Sequence, residues 1–117
     1  MDKEFNDKCL IERTITQKAS VTSLKRKEDI DSLAEKHKNS SDYFIDGAKV
    51  MLQSKTPLLA VLLGYFAMEH KANQLLALHG YKVESHICTQ LGMSRIIARK
   101  DLAQKLSSVF TERQEIG

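Results

Sequence analysis

The stretch PLLAVLLGYFAMEHKANQLLALHG, residues 57–80, constrains the fold of this chain more than any other part of the sequence. Its first half, up to Met68, carries no charged residue and is apolar on nearly every side of a helix, whereas its second half is amphipathic. Thr56 suits the N-cap, and Pro57 suits the first helical position, where a backbone N–H would have no partner within the helix. Gly80 suits the left-handed residue that follows a helix. The sequence therefore predicts a helix of about 23 residues, the longest in the chain, at the centre of the core.

Three further helices are predicted from apolar residues at three- and four-residue spacing. The first runs from Glu28 to about Ser54, and the polar stretch Asn39-Ser40-Ser41 marks a place where it can break. Ser85 suits the N-cap of the third helix, and the fourth begins near Lys100. Short links enforce antiparallel neighbours, so we expect an all-α fold, an antiparallel up-and-down four-helix bundle. A break at residues 39–41 would give five helices.

Residues 1–27 differ in composition from the rest of the chain. They are polar, with one short apolar patch at Cys9-Leu10-Ile11 and room for a short helix or strand. They hold seven basic and four acidic residues, so the net charge of +3 comes from this segment. We therefore divide the chain into a basic N-terminal arm, residues 1–27, and a helical bundle domain, residues 28–117. The arm ends in Lys25, Arg26 and Lys27, which are either nucleic-acid contacts or part of an ordinary solvated segment.

The two cysteines and the apolar runs bear on where the protein resides. Cys9 and Cys88 lie 79 positions apart and match no paired motif, and no signal segment opens the chain. These features predict reduced cysteines and a cytoplasmic protein. The longest apolar run, residues 57–68, is shorter than the roughly 20 residues that a membrane-spanning helix needs. We therefore expect no contact with a membrane.

Two charged residues interrupt apolar helical stripes. The stripe that runs from Leu102 to Phe110 continues onto Arg113, and Glu69 lies on a face that Tyr65 and Leu76 make apolar. A charged side chain is costly to bury alone, so one interpretation is that both face inward and form an ion pair. In the other interpretation, Glu69 marks the edge of its stripe and Arg113 meets solvent at a frayed helix end. The residues alone leave both interpretations open.

The histidines add few site candidates. His70, beside Glu69, is a candidate general base, and His86 is a candidate metal ligand. However, His86 and Cys88 are two positions apart, which points them to different sides of a helix. No zinc-protease motif, paired-cysteine motif, phosphate-binding glycine loop or catalytic Ser or Cys signature is present. We expect neither a metal nor a cofactor.

Two stretches of the chain resemble the HEPN superfamily of helical bundles. GYFAMEHKANQLLALHGYKVESH, residues 64–86, resembles that family's central helix and the link after it, with an aromatic pair, Ala-Met, a His, a Leu-rich run, Gly and then Ser-His. LSSVFTERQEIG, residues 106–117, resembles its last helix, in which a Phe/Leu stripe runs into Glu-Arg. Together with a first helix that fits, the likeness covers about residues 36–117 and leaves the basic arm outside.

The resemblance implies a usually dimeric bundle of a family in which many members are metal-independent endoribonucleases. Toxin-type members are paired with a minimal nucleotidyltransferase. The resemblance assigns Arg113 to the scissile phosphate, while a His moves protons between the ribose 2′-hydroxyl and the leaving oxygen. Our own hypothesis adds that Glu69 orients Arg113. That His follows the Arg by four to six intervening residues, at positions 118–120, whereas the sequence stops at Gly117. Endoribonuclease activity is therefore expected if the motif is completed beyond residue 117.

These observations give three functional hypotheses. The first is a HEPN-like, toxin-type protein of a toxin–antitoxin pair that acts on or binds RNA or nucleotides, with Arg113, Glu69 and His70 in its site. It would be a homodimer with a minimal nucleotidyltransferase as partner. The second is a non-catalytic helical dimer that serves as a protein-interaction or nucleic-acid-binding module. The third is a small enzyme built on His70 and Glu69 alone.

Overall fold

The structure is a computed structural model that describes residues 3–10 and 20–116, apart from the side chains of residues 3, 6, 110 and 112–116. The described chain is mainly helical, with a small two-stranded sheet, and confirms the predicted all-α helical bundle. Its elements, in chain order, are α1 (Lys3–Phe5), a π-helical turn (Asn6–Leu10), β1 (Val21–Ser23), α2 (Lys27–Gln53), α3 (Pro57–Leu78), β2 (Tyr81–Val83), α4 (His86–Arg95) and α5 (Lys100–Ile116).

Helix α2 continues without a break through residues 39–41, where the sequence indicated a helix end. Ser41 is 2% exposed, and its hydroxyl donates a hydrogen bond of 2.8 Å to the backbone carbonyl of Ala67 on α3. The serine therefore serves the contact between the two helices instead of capping a new one. With 27 residues, α2 is longer than the 22-residue α3, so the prediction that α3 would be the longest helix was wrong.

Helix α3 begins and ends where the sequence predicted. Pro57 occupies its first position, and Gly80 follows its C-terminus with φ of 91°, a conformation that favours glycine. Thr56 stands at the N-cap, but its hydroxyl donates to the carbonyl of Met51, at 2.8 Å, and makes no capping hydrogen bond. The threonine thus closes the α2–α3 turn, and α2 and α3 form a helical hairpin.

Segments from the N-terminal 27 residues belong to the core. β1 pairs antiparallel with β2, and the partners Val21 and Val83 are both buried. Phe5 is fully buried and meets Tyr81 edge-on, with ring centroids 6.4 Å apart. The short helix and strand allowed for in this segment are therefore present. Together with α4 and α5, they cover the second half of α3.

A disulfide bond joins Cys9 to Cys88, whose Cα atoms lie 5.8 Å apart. The prediction of reduced cysteines was wrong, because separation along the sequence does not measure distance in the fold. Cys9 lies in the π-helical turn and Cys88 lies in the first turn of α4, and both side chains are buried. The bond closes a loop across most of the chain.

Helices α3 and α4 approach closely at Gly92. A Cβ atom on this glycine would lie 2.9 Å from Cδ2 of Leu76, which is fully buried. Gly64, in α3, has no atom within 4 Å of the equivalent position. The packing of α3 against α4 therefore leaves little room for a side chain at position 92.

We expect Gly92→Ala to lower the free energy of unfolding by about 1–3 kcal/mol, because the fully buried Leu76 side chain must shift to admit the new methyl group. The matched control Gly64→Ala should raise it by about 0.5–1 kcal/mol, the gain in helix propensity. Urea unfolding followed by circular dichroism measures both changes. Equal effects of the two substitutions would contradict the close packing.

Reduction of the Cys9–Cys88 bond should lower the free energy of unfolding by about 4–5 kcal/mol, because the cross-link restricts the unfolded chain. Urea unfolding with and without dithiothreitol measures the difference. The variant Cys9→Ala/Cys88→Ala serves as the control and should not respond to the reductant. An identical unfolding midpoint of the unmodified protein in both buffers would refute the prediction.

Candidate functional site

A single carboxylate oxygen of Glu69 joins side chains from two helices. Tyr65 and Glu69 are four residues apart on α3 and share a face, and the Tyr65 hydroxyl donates to Oε2 of Glu69. Nδ1 of His86, the first residue of α4, hydrogen bonds to the same oxygen. The Tyr65 hydroxyl and His86 Nδ1 are 3.0 Å apart. These three residues form what we call the Tyr–Glu–His cluster.

Burial shows that the cluster faces the interior of the bundle. Tyr65 is 1% exposed, the Glu69 side chain is 19% exposed, and the His86 side chain is 39% exposed. A carboxylate withdrawn from water is costly unless donors replace the lost hydration. The tyrosine and the histidine supply those donors. Glu69 therefore faces inward, while its predicted ion pair with Arg113 stays a prediction.

The first turn of α4 holds His86 in place. Ser85 Oγ accepts a hydrogen bond of 3.0 Å from the backbone N–H of Cys88, so the predicted N-cap is confirmed. Thr89 donates at 2.7 Å to Oδ1 of Asn73, and both residues are buried. With the disulfide at Cys88, three contacts therefore fix the turn that carries the imidazole.

The arrangement suits proton transfer. When Nδ1 of His86 carries the proton, the imidazole and the Tyr65 hydroxyl both donate to Glu69, and Nε2 becomes the basic nitrogen of the ring. A carboxylate at Nδ1 also stabilises the imidazolium that forms when Nε2 takes up a proton. The cluster thus has the parts of a general acid–base pair, with a partly exposed histidine and a positioning carboxylate.

His70, which the sequence indicated as a general base, lies in a different contact. Its Nδ1 is 2.9 Å from Nδ1 of His37 on α2, and its ring stacks on Phe44 with 5.5 Å between centroids. Burial lowers the pKa of both histidines, and the proximity of His70 lowers the pKa of His37 further. The described contacts therefore direct His70 toward α2, while Glu69 is joined to His86.

The other predicted site residues are Arg113, in α5, and the basic residues at the start of α2. The backbone of Arg113 belongs to α5, but its side chain lies outside the described residues, so its contact with Glu69 or a phosphate stays a prediction. Lys25, Arg26 and Lys27 are exposed where the chain enters α2. Arg26 pairs with Glu28 at 2.8 Å, which offsets part of the local positive charge.

Sequence reasoning missed two members of the cluster. Tyr65 was assigned to the core, and His86 was considered as a metal ligand. The four-residue spacing of Tyr65 and Glu69 was visible in the sequence, whereas the meeting of α3 and α4 depends on tertiary packing. Within the described part of the chain, no group of three or more His, Cys, Asp or Glu side chains is arranged to hold a metal ion.

Comparison with known protein families, curated proteins and solved structures finds no match for this chain. The resemblance to HEPN proteins therefore stays a prediction. Among the described helices, none has the length and apolar character needed to cross a membrane.

The histidine pair predicts a pH-dependent stability. Both pKa values are lowered in the folded protein, so below about pH 6.5 the unfolded chain binds more protons than the folded chain. The pair's contribution should be complete above that pH and decrease as the pH falls, because two charged imidazoles repel and cannot share a proton. Urea unfolding at pH 7.5 and pH 5.5 measures the change.

The variant His37→Gln/His70→Gln should show a smaller loss of stability between these pH values than the unmodified protein. His79→Gln, which alters an exposed histidine, is the matched control and should keep the larger loss. If the double variant and the control respond equally to pH, the pair does not cause the dependence.

Proposed function

We propose that this protein is a HEPN-like, toxin-type protein of a toxin–antitoxin pair and that it cleaves RNA without a metal ion. The observation that supports this most is the carboxylate-bound imidazole of Glu69 and His86. Cleavage of RNA needs a nucleophile that the substrate itself carries, the ribose 2′-hydroxyl, and a group that moves its proton. The Tyr–Glu–His cluster provides such a group in a partly exposed position.

The proposed step begins with Nε2 of His86 taking the proton of the 2′-hydroxyl. The 2′-oxygen attacks the adjacent phosphorus, and the bond from phosphorus to the 5′-oxygen of the next nucleotide breaks. The imidazolium then gives its proton to that leaving oxygen, while Glu69 stabilises the charged ring. The products are a 2′,3′-cyclic phosphate and a 5′-hydroxyl end. By the HEPN resemblance, Arg113 would stabilise the negative charge on the phosphate.

In this proposal His86 takes the role of the histidine that the family's motif would place beyond residue 117. Glu69 then positions His86, in addition to its predicted role toward Arg113. His70 is reassigned from proton transfer to the contact between α2 and α3. Binding of nucleotides in place of RNA cleavage is the weaker form of the same proposal, since it needs no proton transfer.

Assembly as a homodimer, a minimal nucleotidyltransferase partner and a cytoplasmic location complete the proposal. All three come from the sequence and its resemblance. Disulfides are rare in the cytoplasm, so this location predicts that the Cys9–Cys88 bond is largely reduced in the cell. Alkylation of free thiols in freshly lysed cells measures the reduced fraction.

A second candidate function is a non-catalytic helical dimer that binds a protein or, through Lys25, Arg26 and Lys27, a nucleic acid. Exposed leucines at the end of the α2–α3 hairpin favour it: Leu52 is 62% exposed and Leu58 is 61% exposed. In that case the Tyr–Glu–His cluster only satisfies a buried carboxylate.

The purified protein should cleave a single-stranded RNA oligonucleotide in the presence of EDTA and leave the matching DNA intact, because DNA lacks the 2′-hydroxyl. His86→Gln should lower the cleavage rate by about 10²–10⁴-fold, through loss of proton transfer. Glu69→Gln should lower it in a similar range, because the neutral amide no longer stabilises the imidazolium. Gel analysis of end-labelled RNA, with detection of the cyclic phosphate, measures both.

His79→Gln is the matched control for these variants and should retain the activity, since His79 is an exposed histidine of α3's C-terminal end. Circular dichroism checks that every variant is folded. Intact RNA between pH 5 and pH 9, together with an Arg113→Ala variant that behaves like the parent in RNA binding and in cells, would contradict the proposal. That outcome would favour the interaction module.

A further inference from the structure

One side of α3 carries a stripe of four residues at steps of three and four positions. The stripe consists of Met68, Lys71, Ala72 and Leu75. Its charged member, Lys71, comes two residues after Glu69, a spacing that points the two side chains to nearly opposite sides of a helix. The lysine is therefore not part of the Tyr–Glu–His cluster.

A pocket of about 150 Å³ lies over this stripe. Its remaining walls come from Met93 of α4 and from Leu102 and Leu106 of α5. The deepest of the lining residues are Ala72, Met93 and Leu106, which are at most 4% exposed. Ala72 has the shortest side chain of the seven lining residues, so it leaves a space that its longer neighbours do not fill. We call this space the α3–α5 pocket.

The α3–α5 pocket combines apolar walls with one cation. Among the described residues that line it, only Lys71 is charged, and all the others are apolar. Lys71 is exposed, and within the described part of the chain its side chain forms no hydrogen bond or ion pair. Small-molecule sites typically have apolar walls and a few polar groups that fix the orientation of the ligand. This pocket therefore suits a molecule with an apolar body and an anionic group at one end.

We propose that the α3–α5 pocket binds a small aromatic or branched aliphatic carboxylate, whose apolar part enters the pocket and whose carboxylate pairs with the Lys71 ammonium group. An apolar cavity of about 150 Å³ is large enough to hold one benzene ring. Apolar walls offer water few hydrogen bonds, so an apolar group that displaces this water gains binding free energy. This site goes beyond the proposed function, because it requires neither RNA nor the Tyr–Glu–His cluster.

The charge on Lys71 should select acids over neutral molecules of the same shape. Phenylacetate is the probe, phenylacetamide has the same ring without the charge, and acetate has the carboxylate without the ring. We expect phenylacetate to bind about 2- to 5-fold more tightly than phenylacetamide, the range of an exposed ion pair. Acetate should not bind, because the apolar contacts supply most of the binding free energy.

Nuclear magnetic resonance of the full chain, labelled with ¹³C at the methionine methyl groups, measures this binding at the pocket itself. Met68 and Met93 line the pocket, so an aromatic ring bound there should shift both methyl signals in a saturable way. Met51 lies on α2, in contact with Thr56, and is the internal control whose signal should not move. The titration gives the dissociation constant of each probe.

Substitution of the lysine tests the role of its charge. Lys71→Met should weaken phenylacetate binding by about 2- to 5-fold, to the level of phenylacetamide, and should leave phenylacetamide binding unchanged. Lys49→Met is the matched control, because Lys49 is an exposed lysine of α2. It should change neither dissociation constant.

Two further variants should close the pocket. Ala72→Leu places a larger side chain in the deepest part, and it should abolish the binding of both aromatic probes. Leu102→Trp obstructs the pocket from a partly exposed position and provides the same test if Ala72→Leu does not fold. Circular dichroism checks the fold of each variant.

The possible results separate this proposal from the proposed function. Absence of a saturable shift at Met68 and Met93 up to about 20 mM phenylacetate overturns it. Equal shifts at Met51, or undiminished binding in the folded pocket-closing variants, overturn it as well, because the probe then binds elsewhere. Equal affinity for phenylacetate and phenylacetamide overturns the assignment to a carboxylate. RNA cleavage is measured without these probes, so its absence does not affect the result.

Discussion

The need to cover α3 organises this molecule. The helix is apolar nearly all round in its first half and on one broad face in its second, so it is stable only where other elements exclude water from it. α2 lies along it, α4 and α5 cover its second half, and segments from the N-terminal 27 residues complete that cover. Ser41 and Gly92 are small residues at contacts between helices. The fold is the arrangement in which the second half of this helix is enclosed and its first half packs against α2.

The helices were predictable because their signals are local. Pro57 and Gly80 mark the ends of α3, and Ser85 caps α4, through chemistry that involves only a few neighbouring residues. The continuity of α2 was not predictable, because Ser41 has a buried partner 26 residues away, which outweighs its preference for a helix end. The burial of Phe5 and Cys9 was missed for a similar reason. Their partners lie in the second half of the sequence, and no local pattern indicates them.

The candidate site was only partly predictable from the sequence, because only some of its features are local. Glu69 interrupts an apolar stripe, which the sequence shows, but the sequence left open whether its side chain faces inward. Its partner His86 could be found only when α3 and α4 were placed together. His70 is adjacent to Glu69 in the sequence, yet successive residues of a helix point in different directions, and it meets His37 on α2. Adjacency along a helix was therefore a poor guide to which histidine shares a proton with the carboxylate.

The position of Phe5 and Cys9 has a consequence for synthesis on the ribosome. The first ten residues emerge long before α4, the helix against which the Cys9 side chain is linked. The α2–α3 hairpin contains contacts that are closer in sequence, so it can form while the N-terminal segment still waits for its place. The nascent chain therefore passes through a stage in which its apolar hairpin is complete and its first residues are unplaced. At that stage, the part of α3 that the N-terminal segment, α4 and α5 later cover is still exposed to water.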